Sequence, residues 1–459
     1  MGLLDSSTQS SGDALATAPK VIPATAASAT AIRAARLWRR FNGGFWTLLD
    51  QGGISLGTFL INIQLARHLD ASEYGTFALL LGGFFLAQHF NASFLYYPLM
   101  LKLAGGKQTR PSDLVFVSLI LTTLSTVALS GVVASCLIVF GRSDLAIAAG
   151  VYLVLWQLQD VLRRALLAQF SQRMAALADG ITYIGAAIGI AILAASDILT
   201  LSNALLAMAG TCALAFAVQV FQRPPTIPRA GAASDLLHGF WTLGKWVFLN
   251  GIILIVTGLA FPWALAIMDG PSAAAAFQAV LNVANLANPI AFGLSNIILP
   301  AVAQAHASGS MRSAWTAART YIVIGATLLS FFAILVMLMP HTVLVLFYGA
   351  NSPYVHLEQA VVVMVLAIAI GAITNMMSQF IFGVGAGKVA VWMNGIGLGV
   401  VALFLPFIGL DGVAACALVL GAAKLACLIA GSYFVGRMLL SEGYPSSGPK
   451  EGVDAGRGQ

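Results

Sequence analysis

Five amide side chains share one apolar stretch of this 459-residue chain: Gln278, Asn282, Asn285, Asn288 and Asn296. Steps of three and four along a helix keep side chains on one face, so the spacing predicts a single polar stripe. An amide both donates and accepts hydrogen bonds, which suits contact with sugar hydroxyls. A second, smaller group stands at Gln88, His89 and Asn91, joined by Asn62, Gln64 and Asn250 in other apolar runs. Lys424 is a lone cation in the last run. It lies about twelve residues from either end, roughly 18 Å at 1.5 Å per residue, too far for its stem to reach a membrane surface. It must pair, lose its proton or face water, and contact with a phosphate is one role open to it. Polar groups in such surroundings are costly, which makes each of them a candidate for a transport pathway, with bonding between helices as the alternative role. Asp50 and Lys245 lie one turn inside two further runs and are expected to pair as a gate that closes the cytoplasmic mouth when the cavity faces outward. Asp160 with Arg163 and Arg164 reads as a solvated cluster at the end of its helix.

Chemistry of other kinds is not encoded. There is no GxxxxGK[ST] loop, and HExxH and CxxC are absent. The GVGAGK stretch at 383–388 lacks a preceding strand and reads as a turn. The four cysteines have neither metal-ligand nor disulfide-framework spacing. No catalytic residue, metal or cofactor is expected.

The elements that carry these residues are membrane helices. The chain is 59% hydrophobic and 9% charged, where a soluble domain carries about 25% charged residues. Twelve apolar runs long enough to cross a bilayer recur, at roughly 45–66, 76–100, 113–140, 144–162, 175–195, 199–221, 243–268, 275–300, 318–339, 357–382, 388–408 and 412–437. They are too long and too evenly apolar for the strands of a membrane barrel. Of 23 Lys and Arg residues, only Arg67 and Arg142 fall in turns on one side and only Lys424 falls near the middle of a run. The rest collect on the side of the two termini. That bias predicts a multi-pass inner-membrane protein with both termini cytoplasmic. The net charge of +6 therefore reflects topology and gives no reason to expect nucleic acid as a partner.

The runs divide into halves. FWTL at 45–48 returns as FWTL at 240–243, with Asp50 answered by Lys245. Arg173 followed by Asp179-Gly180 returns as Lys388 followed by Asn394-Gly395. Six helices per half make the halves parallel repeats about an axis along the membrane normal, with a central cavity between them. The expected organisation is a cytoplasmic tail at 1–44, one six-helix bundle at 45–221, a Pro-rich linker at 222–239, a second bundle at 240–438 and a tail at 439–459. The basic end of the first tail can rest on anionic membrane lipid.

The run ARHLDASEYGTFAL at 66–79 resembles the AR-x-L-x-x-x-E-Y-G pattern between the first two helices of bacterial polysaccharide-export flippases. These belong to the multidrug/oligosaccharidyl-lipid/polysaccharide exporter superfamily. Ala66, Arg67, Leu69, Glu73, Tyr74 and Gly75 carry the match, with Asp70 and Ala71 replacing a frequent Gly-Pro. The resemblance implies alternating access between two six-helix bundles. Its implied cargo is an oligosaccharide on a polyprenyl pyrophosphate, flipped for exopolysaccharide or O-antigen synthesis. Glycosyltransferases and a polysaccharide polymerase are then the expected partners. Two other readings compete: a drug or cation antiporter of the same superfamily, which needs acids in its cavity, and a membrane polysaccharide polymerase or ligase, which needs catalytic side chains on outer loops.

Overall fold

The computed structural model describes residues 46, 49–105, 110–169, 171–224, 232–410 and 412–441. The expected tail at 1–44, residues 442–459 of the expected 439–459 tail and residues 225–231 of the expected linker lie outside them, as do Phe45, Thr47 and Leu48 of the first FWTL. The described residues belong to one compact unit, which begins at Trp46.

These residues are helical, with no strand among them. Twelve long helices follow in order: α1 (49–68), α2 (Ala71–Met100), α3 (Pro111–Val139), α4 (Ser143–Ala168), α5 (Gln172–Ala195), α6 (Leu201–Gln222), α7 (Val247–Asp269), α8 (Pro271–His306), α9 (Met311–Leu338), α10 (Glu358–Gly383), α11 (Gly387–Phe407) and α12 (Gly412–Leu440). All but α1 are long and apolar enough by themselves to cross a membrane. Side chains such as Phe221, Ile267 and Val139, each more than four-fifths exposed, point outward from the bundle. In water such exposure would oppose folding, whereas in lipid it costs nothing. The chain is a multi-pass membrane protein.

Two boundaries differ from expectation. Helix resumes at Ala232, inside the expected 222–239 linker, and continues unbroken into α7. The turn after α9 contains a short helix, Pro340–Tyr348, that ends at Gly349 with φ +88°. Proline at its first position fixes the start, and glycine supplies the left-handed residue that stops it.

Three helices depart from α geometry away from their ends. Helix α2 has a π turn at Ala92–Tyr96 and α5 has one at Gly180–Ile184. A buried polar residue, Asn91 or Asp179, immediately precedes each of them. Helix α8 tightens to a 3-10 turn at Asn285–Ala287, just before Pro289, which has no amide hydrogen to continue the ladder.

The end of the bundle where α1 begins and α12 finishes is the proximal end, and the other is the distal end. The apolar core is not the same at the two ends. Distally one continuous cluster spans both halves, from Ile61, Phe77 and Phe84 to Phe277, Met364 and Ala417. Proximally it separates. Leu95, Leu99, Val117 and Val161 form a core within the first half, and Ile298, Val302, Phe380 and Met393 form another within the second. The proximal part of α8 packs on α9 and α10 of its own half. The halves are thus joined at the distal end. Proximally they meet along α2 and α7, where Gly244 and Gly251 lie against Phe94 and the His89 ring.

Candidate functional site

Helix α12 carries Lys424 at mid-span. Its stem lies across Gly371 of α10: a Cβ built there would stand 3.3–3.4 Å from Cγ, Cδ and Cε of the lysine. The Thr374 hydroxyl donates to the Lys424 carbonyl at 3.3 Å. Among the described residues its ammonium has neither a hydrogen-bond nor an ion-pair partner. Elsewhere in the second half the buried polar groups are neutral. Asn375 on α10 donates to Ser295 on α8 at 3.2 Å, and Asn394 on α11 to Asn250 on α7 at 3.1 Å. Asn285 and Asn288 are half-buried at the α8 break.

The first half handles charge differently. Arg163 of α4 pairs with Asp50 of α1 at 3.0 Å and with Asp179 of α5 at hydrogen-bonding distance, and lies 3.9 Å from Asp160. Arg164 holds Asp160 at 2.9 Å, and its guanidinium lies over the Tyr96 ring. Amides complete the shell: Gln88 donates to Asp160, Gln159 to Asp179 and Gln51 to Asp50. All three carboxylates are at most 4% exposed. Three acids share two guanidiniums, so the cluster has an excess of acid, and Asp50 Oδ1 is buried without a hydrogen bond. Charges removed from water need such mutual pairing to be tolerated.

This arrangement corrects two expectations. The ion-pair partner of Asp50 is Arg163 within its own half, not Lys245, which is exposed near the proximal end of its helix. Asp160, Arg163 and Arg164 are not a solvated cluster: α1 and α5 close over them. The signal was present in the sequence, since Asp160 falls inside the apolar run 144–162 and not beyond it.

The amide residues divide into three groups. Asn91 is fully buried and ties α2 to α3 and α4: Ser125 donates to it, and it donates to Thr126 and Gln157. Gln88 serves the ion cluster. These two bond neighbouring helices of their own half. His89 stacks on Phe248 of α7 and hydrogen-bonds its carbonyl at 3.1 Å, so it sits on the contact between halves. Gln278 and Asn282 also bridge the halves. Asn282 donates to the Tyr74 hydroxyl at 2.7 Å, Tyr74 to Asn62 at 3.5 Å, and Gln278 to Asn282 at 2.9 Å and Asn62 at 3.4 Å. The distal part of the α8 stripe therefore closes the distal end. Only Asn285 and Asn288 remain beside the region where the halves part. The side chain of Asn296 lies outside the described residues.

The distal closure has further members that sequence reasoning passed over. Arg67 at the end of α1 donates from Nε to the Phe347 carbonyl at 2.5 Å and from Nη2 to the Leu346 carbonyl at 2.7 Å. Phe59 meets Phe347 edge to face, and Tyr348 donates to the Ala279 carbonyl at 2.8 Å. Burial pushes the Tyr354 phenol up to about 12 and that of Tyr348 higher still, so both stay neutral donors at physiological pH.

The arrangement is that of known transporters. An inward-facing multidrug resistance MATE family transporter of the MOP superfamily matches with a TM-score of 0.67 at 15% identity, covering 84% of this chain and 96% of that one. An outward-facing structure of a MATE family transporter matches at 0.63 and 15%, covering 86% and 95%. A MOP superfamily transporter from Pyrococcus furiosus, described as having a binding pocket of reversed polarity that suggests a different function, matches at 0.64 and 14%, covering 88% and 95%. The chain has the twelve-helix, two-lobe MATE fold. No family model matches it, and no curated protein does.

Proposed function

We propose that the chain moves an anionic, hydroxyl-rich lipid headgroup across the bilayer by alternating access, its substrate being a polyprenyl-pyrophosphate-linked oligosaccharide. The observation that carries this reading is Lys424: a cation at mid-span, seated against Gly371 and without an acidic partner among the described residues. A lone half-buried cation within a membrane span is costly unless an anion from outside completes it, and a pyrophosphate is such an anion. Asn285 and Asn288, near the same depth on α8, supply the paired donors and acceptors that sugar hydroxyls use. The lipid tail can stay in the hydrocarbon throughout.

The positive-inside bias puts the proximal end in the cytoplasm of a bacterial inner membrane, so the distal closure seals the outer face. The fold is one for which inward-facing and outward-facing forms are both known, and the separate proximal cores suit the inward-facing one. Glycosyltransferases would load the carrier on the inner leaflet, and a polymerase or ligase would consume the repeat units outside. The rival reading is a drug or cation antiporter, favoured by the multidrug description of several similar structures. It is opposed by the acids of this chain, since Asp50, Asp160 and Asp179 are already held by arginines.

Deletion of the gene tests the proposal. Loss of surface polysaccharide, with lipid-linked repeat units accumulating in the inner leaflet, is the expected outcome. Normal polysaccharide with raised sensitivity to cationic drugs would establish the rival.

A further inference from the structure

The segment 66–75 contributes several of the contacts that close the distal face. Arg67 donates two hydrogen bonds to carbonyls in the last turn of Pro340–Tyr348, where a helix leaves its acceptors unpaired and its dipole favours a cation. Tyr74, fully buried, accepts from Asn282 of α8. Gly75 brings α2 against the start of α8: a Cβ there would lie 1.7 Å from the Pro271 carbonyl oxygen. Glu73 pairs with Arg142 at 3.0 Å, and Arg142 also donates to Thr76. Those last contacts stay within the first half and fix the start of α2, so that Tyr74 and Gly75 meet the other half squarely.

We infer that the AR-x-L-x-x-x-E-Y-G segment is the distal lock of the transport cycle, with Arg67 as its positioning residue and the short helix Pro340–Tyr348 as the part of the second half that it holds. The inference rests on the transport reading, because a lock matters only where the distal face must also open. Its contacts have the properties a releasable lock requires. Arg67 is exposed, so its charge returns to water at little cost when the halves separate. The freed carbonyls of Leu346 and Phe347 also meet water there. The Gly75 contact works as a gauge: the distal face closes only when α2 can touch α8 with no side chain between them.

The test uses the full chain in lipid nanodiscs, spin-labelled at Ser72→Cys and Asn351→Cys. These exposed sites flank the distal face on opposite halves. The background is Cys136→Ser, which removes the exposed cysteine and leaves the three buried ones. The wild-type sequence should give mainly a short separation. Arg67→Ala should raise the share of long separations about tenfold, as expected for loss of hydrogen bonds to a charged group. Arg67→Lys should fall between, because an ammonium cannot reproduce the planar fork to two carbonyls. Gly75→Ala should abolish the short separation while the protein stays helical and monodisperse, since alanine suits α2 itself and clashes only across the interface. If Gly75→Ala fails to fold, the Arg67 series decides. Wild-type separations in Arg67→Ala would overturn the inference. A parallel assay of lipid-linked oligosaccharide flipping separates the two readings. Flipping by the wild type with no opening in Arg67→Ala removes the lock and keeps transport. Opening without any flipping or drug transport by the wild type removes the transport reading.

Discussion

The two halves treat buried charge in opposite ways. In the first, Asp50, Asp160, Asp179, Arg163 and Arg164 answer one another across α1, α4 and α5. In the second, the position that the sequence echo pairs with Asp179 is Asn394, a neutral amide bonded to Asn250. The cation Lys424 is left without an acid among the described residues. Paired charges stiffen the helices that carry them, whereas an unpaired one waits for a ligand. On the proposed reading, the first half is structural and the second half supplies the charged contact to cargo. An amphipathic cargo and a scaffold that must rock as a body would together require that division.

Breaking the first half should have the largest effect. Arg163→Leu leaves Asp50 and Asp179 buried without their guanidinium, which should cost about 3–5 kcal/mol. The protein should lose its folded peak in detergent size exclusion, or melt far below the wild type. Asp179→Asn should be much milder, because it relieves the excess of acid around Arg163. Equal damage from both changes would mean that the cluster is not organised around the arginine.

Lys424→Met should separate the halves in kind. Removing a half-buried, unpaired cation from the middle of the span should leave the melting temperature unchanged or raised, while flipping falls by more than tenfold, about 1.4 kcal/mol or more of lost cargo interaction. A variant that unfolds instead would show that the lysine has a structural partner. Across the interface, Asn282→Ala strands the Tyr74 hydroxyl and should cost about 1–3 kcal/mol. That loss should be read as a shift toward distal opening, measured by label accessibility at residue 351. The smallest effect is expected at the surface. Glu73→Gln leaves Arg142 its partner Asp144 at 3.1 Å, so stability should change by less than about 1 kcal/mol.

The fold was legible because hydropathy encodes it directly. Twelve apolar runs became twelve helices, since lipid leaves a spanning segment few alternatives. The site was legible only in part. Lys424 stood out because its depth can be counted from the helix ends. Asn91 and Gln88 looked like lumen residues because a polar group within an apolar run has the same sequence signature whether it faces water or a neighbouring helix. The Asp50–Arg163 pair joins residues more than a hundred positions apart, so no local spacing could announce it. Arg67 stands at the end of α1, and its acceptors Leu346 and Phe347 lie 279 and 280 positions away in the other half, so no local spacing announces that contact. The short helix that it caps begins with Pro340 and ends before Gly349, punctuation that could have been read.

The π turns of α2 and α5 have a consequence of their own. Each holds one residue more than an α-helix of the same rise would need. Rewinding Ala92–Tyr96 as regular α-helix without removing a residue would turn Pro98, Leu99 and Met100 by about 100° relative to the distal part of the helix. The spare residue thus sets the angular phase between the outward-sealing and inward-facing portions of one continuous rod. A one-residue deletion there should be tolerated better than one a few turns away, where regular winding has no spare residue to give up.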